Sequence, residues 1–72
     1  MSINIKLARI RNRLTQEQLA RLIHVSPYTV RMWEQGKASP SAGNLVALSN
    51  ELGCTADYLL GRTNMFNQWE ED

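Results

Sequence analysis

Two helix-start signals stand only eleven residues apart near the middle of this chain, at Thr15 and Ser26. Thr15 is followed three residues later by Gln18, a capping-box pattern that satisfies two otherwise orphaned amides before Leu19, Ala20 and Ile23 form an apolar stripe. Ser26 precedes Pro27: serine caps free amides, and proline at the first helical position gives up only an amide that had no partner. The spacing predicts one helix over about residues 16–23. A second starts at Pro27 and runs through Tyr28, Val30 and Trp33 to Gly36, which suits a left-handed C-terminal cap. About three residues remain for the turn, so the two helices must cross sharply. Close crossing needs a small side chain, which Ala20 supplies, and apolar plugs, which Val25 and Val30 supply.

Shorter signals flank this pair. Ile3, Leu7, Ile10 and Leu14 recur at steps of four, three and four, predicting a first helix that buries them and leaves Lys6, Arg9, Arg11 and Arg13 largely on other faces. Residues 37–40 read as a polar loop. Ser41 caps a fourth helix whose Leu45, Leu48 and Leu52 share a face and which Gly53 stops, with Gly43 a weak point in its first turn. Thr55 caps a short fifth helix, Asp57 favours its N-terminal dipole, and Gly61 closes it. Strand-like alternation and internal repeats are absent. The expectation is an all-α, five-helix domain over residues 1–61 and a tail over 62–72.

Seventy-two residues suit one small domain, too small for an ordinary multidomain enzyme. At 43% hydrophobic and 21% charged the chain is apolar enough to fold. One cysteine makes no internal disulfide, so Cys54 reads as a small apolar residue in a reduced, cytoplasmic protein. The longest aliphatic run, Leu45 to Leu48, is far short of a bilayer span, and no export signal follows Met1; neither secretion nor a membrane partner is expected. The net charge of +1 divides unevenly: residues 1–62 hold all 8 Lys+Arg against Glu17, Glu34, Glu51 and Asp57, 8 − 4 = +4, and Glu70, Glu71 and Asp72 supply −3. A basic body suits an anionic partner. One His, one Cys and scattered carboxylates offer no nucleophile and base set, no phosphate loop and no metal site, so neither an enzyme nor a cofactor is expected.

The closely spaced pair has helix-turn-helix geometry, and the chain resembles the lambda repressor and Cro-like, or XRE-type, helix-turn-helix family over about residues 3–61. The resemblance rests on Leu14-Thr15-Gln16, Leu19-Ala20, Val25-Ser26, Trp33-Glu34-Gln35-Gly36, Pro40-Ser41, Leu52-Gly53 and Tyr58-Leu59-Leu60-Gly61. It implies a compact lambda-repressor-like DNA-binding domain whose motif, residues 15–36, lays its second helix in the major groove of a double-stranded operator. Base edges would then meet Pro27, Tyr28, Arg31 and Met32. Arg31 can fork onto guanine, Met32 and Pro27 can touch a thymine methyl, and the Tyr28 ring and hydroxyl suit either kind of contact. The alternative for this set is an ordinary solvent-facing helix surface.

The resemblance also implies phosphate contacts at the start of helix two and in the loop after the reading helix. Gln16 is the leading candidate, followed by Lys37 and Ser39, with Ser41 and Asn44 at the start of helix four, Thr29 and Arg13. Arg9 and Glu34 match positions that pair in some family members, implying a structural ion pair joining helix one to the end of the reading helix. Two positions depart from the pattern: His24 and Arg13 stand where the family favours glycine, at sites that tend to need positive φ.

A single reading helix contacts few base pairs, so a homodimer on a palindromic operator is expected, with half-sites about 34 Å apart. The resemblance places the dimer contact around helix five, at Ala56, Tyr58 and Leu59 with Cys54 before them; core packing competes for Leu59 and Leu60 and must hold for one of them. In longer repressors a linker to a second domain starts where the tail does, and no second domain is expected here. Met65, Phe66 and Trp69 either fold back over the domain or extend the dimer surface. The competing function is a protein-interaction module, such as an antitoxin-like partner that binds a helical protein through helix five and the tail.

Overall fold

The computed structural model describes residues 4–66, which form α1 (Ile5–Arg11), α2 (Gln16–Leu22), α3 (Pro27–Glu34), α4 (Ala42–Leu52) and α5 (Ala56–Leu59), with no strand among them. Four of the five helices start on a hydroxyl side chain. The Thr15 hydroxyl accepts from the Gln18 amide at 3.0 Å, and the Gln18 side chain accepts from the Thr15 amide at 2.8 Å, completing a capping box. Ser26, Ser41 and Thr55 cap α3, α4 and α5 by accepting from the amides of Thr29, Asn44 and Tyr58. Each such cap stabilises by about 0.5–2 kcal/mol relative to alanine, which matters for helices of four to eleven residues. Gly53 ends α4 at φ 67, a conformation in which a side chain is strained.

α2 and α3 pack closely on one another around the nearly inaccessible Ala20, with Val30 fully buried and Val25 partly buried, which gives the sharp crossing its interior. Leu48 and Leu52 of α4 join Ile5, Leu19, Trp33 and Leu59 in the same core. The turn between α2 and α3 passes through His24 at φ 61, and the turn before α2 through Arg13 at φ 60. Both non-glycine residues therefore sit in the left-handed region, as their positions in the pattern predict.

The first helix is rotated from its predicted setting. Ile5 and Ala8 face the core, whereas Leu7 is 59% and Ile10 53% exposed; Leu14 is half-buried, and Ile3 lies outside the described residues. Directed polar contacts fix the rotation. The Asn4 side chain donates to the Tyr58 carbonyl at 2.8 Å, and its backbone amide donates to the Leu59 carbonyl at 2.8 Å. At the other end, the Asn12 side chain donates to the Leu52 carbonyl at 3.0 Å and to the Ala8 carbonyl at 2.9 Å. Ile5, Ala8, Arg9 and Asn12 share one face by helical spacing. Satisfying carbonyls at the ends of α4 and α5, and an ion pair from Arg9, outweighs hiding two aliphatic side chains.

After Gly61 the chain turns back. The Thr55 amide donates to the Phe66 carbonyl at 3.1 Å, and the buried Phe66 ring meets Tyr58 edge-on with centroids 5.2 Å apart. The expectation that helix five leaves an apolar surface free needs correction at Cys54 and Tyr58, which are buried within the monomer; Leu59, at 1% exposed, follows the competing core reading, and the buried Phe66 follows the alternative in which the tail folds back over the domain. Asn4 binds the α5 carbonyls from the start of α1, and Phe66 packs against Tyr58 and, at the other end of α1, Arg11. Ala56 is half-buried and Met65 exposed; Trp69 lies outside the described residues.

Candidate nucleic-acid interface

Val30 and Trp33, three residues apart, root α3 in the core, and their burial decides which side chains point away. Pro27 and Arg31 are exposed, Tyr28 is 63% exposed, and Thr29 and Met32 are half-buried on the flanks. The helix thus presents a ring, a guanidinium, a thioether and a proline along its outer side, a mixture suited to both polar and methyl-bearing base edges.

An open groove of about 590 Å³ runs beside this surface, lined by Arg9, Leu14, Thr15, Gln16, Glu17, Pro27 and Arg31. It brings Gln16, from the start of α2, to the same hollow as Pro27 and Arg31. The sharp crossing of α2 and α3 creates this meeting of residues that are eleven and fifteen positions apart in sequence.

Two of the groove's lining residues, Arg9 and Gln16, belong to an ionic cluster centred on Glu34. Arg9 Nε donates to Glu34 Oε2 at 2.7 Å and its Nη2 to Oε1 at 3.2 Å, while Nη1 donates to the Leu14 carbonyl at 2.7 Å. The two side chains are only 12% and 4% exposed. Gln16 Nε2 donates to the same Glu34 Oε1 at 3.0 Å. This last bond has no local sequence signal, because its partners are eighteen residues apart on different helices. Its effect is twofold: the carboxylate is compensated, so it does not oppose an anion in the groove, and the Gln16 amide keeps a second hydrogen for another acceptor.

The remaining candidates surround this centre unevenly. Lys37 and Ser39 are exposed in the loop after α3, and the Lys37 amide donates to the Met32 carbonyl at 2.9 Å, holding the loop to the helix end. The Thr29 hydroxyl lies 2.9 Å from the Ser26 hydroxyl. Ser41 serves as the cap of α4, with Asn44 half-buried one turn on. Arg13 is exposed at its left-handed turn. None of Lys37, Ser39, Ser41, Asn44 and Arg13 lines the groove. Among the described residues no three His, Cys, Asp or Glu side chains gather as a metal site. Burial pushes the Cys54 thiol up to about 11, with the Arg11 guanidinium pulling partly the other way.

A family model described as Helix-turn-helix matches residues 5–59, spanning α1 to α5. The chain belongs to the helix-turn-helix family. Among curated relatives it is 35% identical over 60 residues to repressor protein C2 of Salmonella phage P22, covering 83% of this chain and 28% of that protein. It is 40% identical over 62 residues to the HTH-type transcriptional activator BcrR of Enterococcus faecalis, covering 83% of this chain and 30% of that protein. The chain thus spans less than a third of the length of these two helix-turn-helix relatives. Among solved structures, the P22 c2 repressor in complex with a synthetic operator superposes with a TM-score of 0.77 at 34% identity, covering 82% of this chain and 89% of that one. The solution structure of the P22 c2 DNA-binding domain superposes at 0.72 with 36% identity, covering 78% and 74%. The helix-turn-helix pair read from two cap signals is therefore part of a known five-helix architecture. No helix among the described residues is long and apolar enough to cross a membrane.

Proposed function

We propose that this chain is a sequence-specific DNA-binding transcriptional regulator that lays α3 in the major groove of a duplex operator. The observation that carries the reading is the shared groove of Gln16, Pro27 and Arg31 beside the outward face of α3. One hydrogen-bonding amide and one guanidinium there lie beside a helix rooted by Val30 and Trp33. The likeness to a repressor bound to a synthetic operator supports it. In this reading Pro27, Tyr28, Arg31 and Met32 meet base edges, and Gln16, Lys37, Ser39 and the other polar candidates hold the backbone. Regulation follows from occupancy of the operator, which blocks or contacts RNA polymerase and needs no catalysis.

The working form is a homodimer on a palindrome, since one α3 spans too few base pairs for useful discrimination. A contact around α5 would use Ala56 and Met65, which keep exposed surface. Selecting duplexes from a random pool and titrating the winners at several salt concentrations tests the proposal. Enrichment of a two-fold symmetric site, bound more weakly as salt rises, is expected. Recovery of no preferred duplex would remove the DNA reading and favour a protein-interaction module.

A further inference from the structure

Two carboxylates belong to the region of the groove, and their surroundings differ. The Glu34 side chain is 4% exposed, and both Arg9 and Gln16 donate to its oxygens. Glu17 lines the groove directly; it is exposed, stands in the first turn of α2 next to Gln16, and forms no ion pair among the described residues. Arg13 and Arg21 stand four residues to either side of it in sequence. Arg21 lines a second hollow with Leu14, Gln18 and Leu22, and Arg13 lines neither of the two. Arg31 also lines the groove and likewise forms no ion pair among the described residues. Once Arg9 and Glu34 have neutralised each other, the groove keeps one open cation from α3 and one open anion from α2.

We propose that Glu17 limits the strength of backbone binding from within the interface, as a fixed negative charge opposing the phosphate that its neighbour Gln16 holds. The inference rests on the DNA-binding reading above. Phosphate contacts carry no sequence information, and they supply essentially all of the affinity for unrelated duplexes. A carboxylate beside the Gln16 contact weakens this shared contribution on every duplex. Net affinity then leans more heavily on Arg31 and the other base-facing side chains of α3. Across about 7 Å of water, repulsion between two unit charges amounts to about threefold in affinity, and it fades as added salt shortens the screening length. Glu34 exerts no such effect, because its charge is already answered by Arg9 and Gln16.

Glu17→Gln in the full 72-residue chain tests this, titrated at several salt concentrations against the selected duplex and a scrambled duplex of equal length. The variant is expected to bind both duplexes about threefold or more tightly at low salt, with a gain that shrinks as salt rises and an unchanged preference among single-base variants. Equal or weaker binding to both duplexes would overturn the proposal. So would a changed preference at one base pair, which would reassign the carboxylate to a base edge such as the amino group of cytosine. Thermal unfolding of the variant separates the structural role: losing an acidic residue from the first turn of α2 lowers the midpoint, but it does not tighten binding. Failure of the parent chain to bind any duplex is a different result, and it removes the DNA reading together with the inference built on it.

Discussion

Arg9 and Glu34 hold each other through two parallel hydrogen bonds, 2.7 and 3.2 Å long, across twenty-five residues of sequence. The pair joins α1 to the end of α3 where water has little access. Removing one partner strands the other charge, at a cost of about 3–5 kcal/mol. Arg9→Met is therefore expected to lower the denaturation midpoint by well over the 4–8 °C that about 1 kcal/mol represents in a domain of this size. A midpoint unchanged within error in thermal unfolding would show that the pair contributes nothing net.

His24 is held at φ 61 in the turn between α2 and α3, where a side chain costs on the order of 1 kcal/mol of strain. His24→Gly relieves that strain at some cost in unfolded-state entropy. The variant is expected to keep the fold and to unfold at the same or a slightly higher temperature; a clear drop would mean that the imidazole makes a stabilising contact.

Gly43, in the first turn of α4, has open space where a Cβ would stand, whereas Gly53 lies at φ 67. Gly43→Ala is expected to stabilise the chain by about 0.4–1 kcal/mol, and Gly53→Ala to destabilise it by about 1 kcal/mol or more. Urea titration of the two variants side by side checks the opposite signs.

For DNA recognition, Arg31 and Lys37 should separate cleanly. Arg31→Ala is expected to relax preference at one base pair at a cost of about 1–3 kcal/mol, and Lys37→Ala to weaken all duplexes alike and flatten the salt dependence. Competition binding across single-base variants of the selected site measures both. Equal weakening of every variant by Arg31→Ala would reassign that side chain to the phosphate backbone.

Burial raises the Cys54 thiol to about 11 from 9.0, the value it regains on unfolding. Between those values the unfolded chain gives up a proton that the folded chain retains, so stability tied to the neutral thiol is full below pH 9 and drains as the pH climbs toward 11. Cys54→Ala is expected to show a shallower alkaline fall in unfolding midpoint than the parent chain. Parallel curves between pH 8 and pH 11 would count against a buried neutral thiol.

Helix starts were legible because a capping hydroxyl lies within three residues of the amide it serves, as at Thr15, Ser26, Ser41 and Thr55. The left-handed turns at Arg13 and His24 were legible from the pattern of the family, since the identity of neither residue announces positive φ. The facing of α1 was not. Periodicity counts apolar side chains, but this helix is oriented by Asn4, Arg9 and Asn12, whose partners are twenty-five to fifty-four residues away. The Gln16 to Glu34 bond escaped for the same reason. Burial of Tyr58 and Leu59 depends on Phe66 and on the start of α1 closing over them, which no four-residue helix reveals by itself.

Glu34 accepts hydrogen bonds from two other helical elements at once, so the Gln16 amide is held in one arrangement by the domain itself. Under the proposed function, an amide already immobilised forfeits less freedom on docking to a phosphate, and that saving would be read as affinity. In that reading the last residue of α3, about two turns from its start, tunes how firmly α2 holds a phosphate without itself touching one.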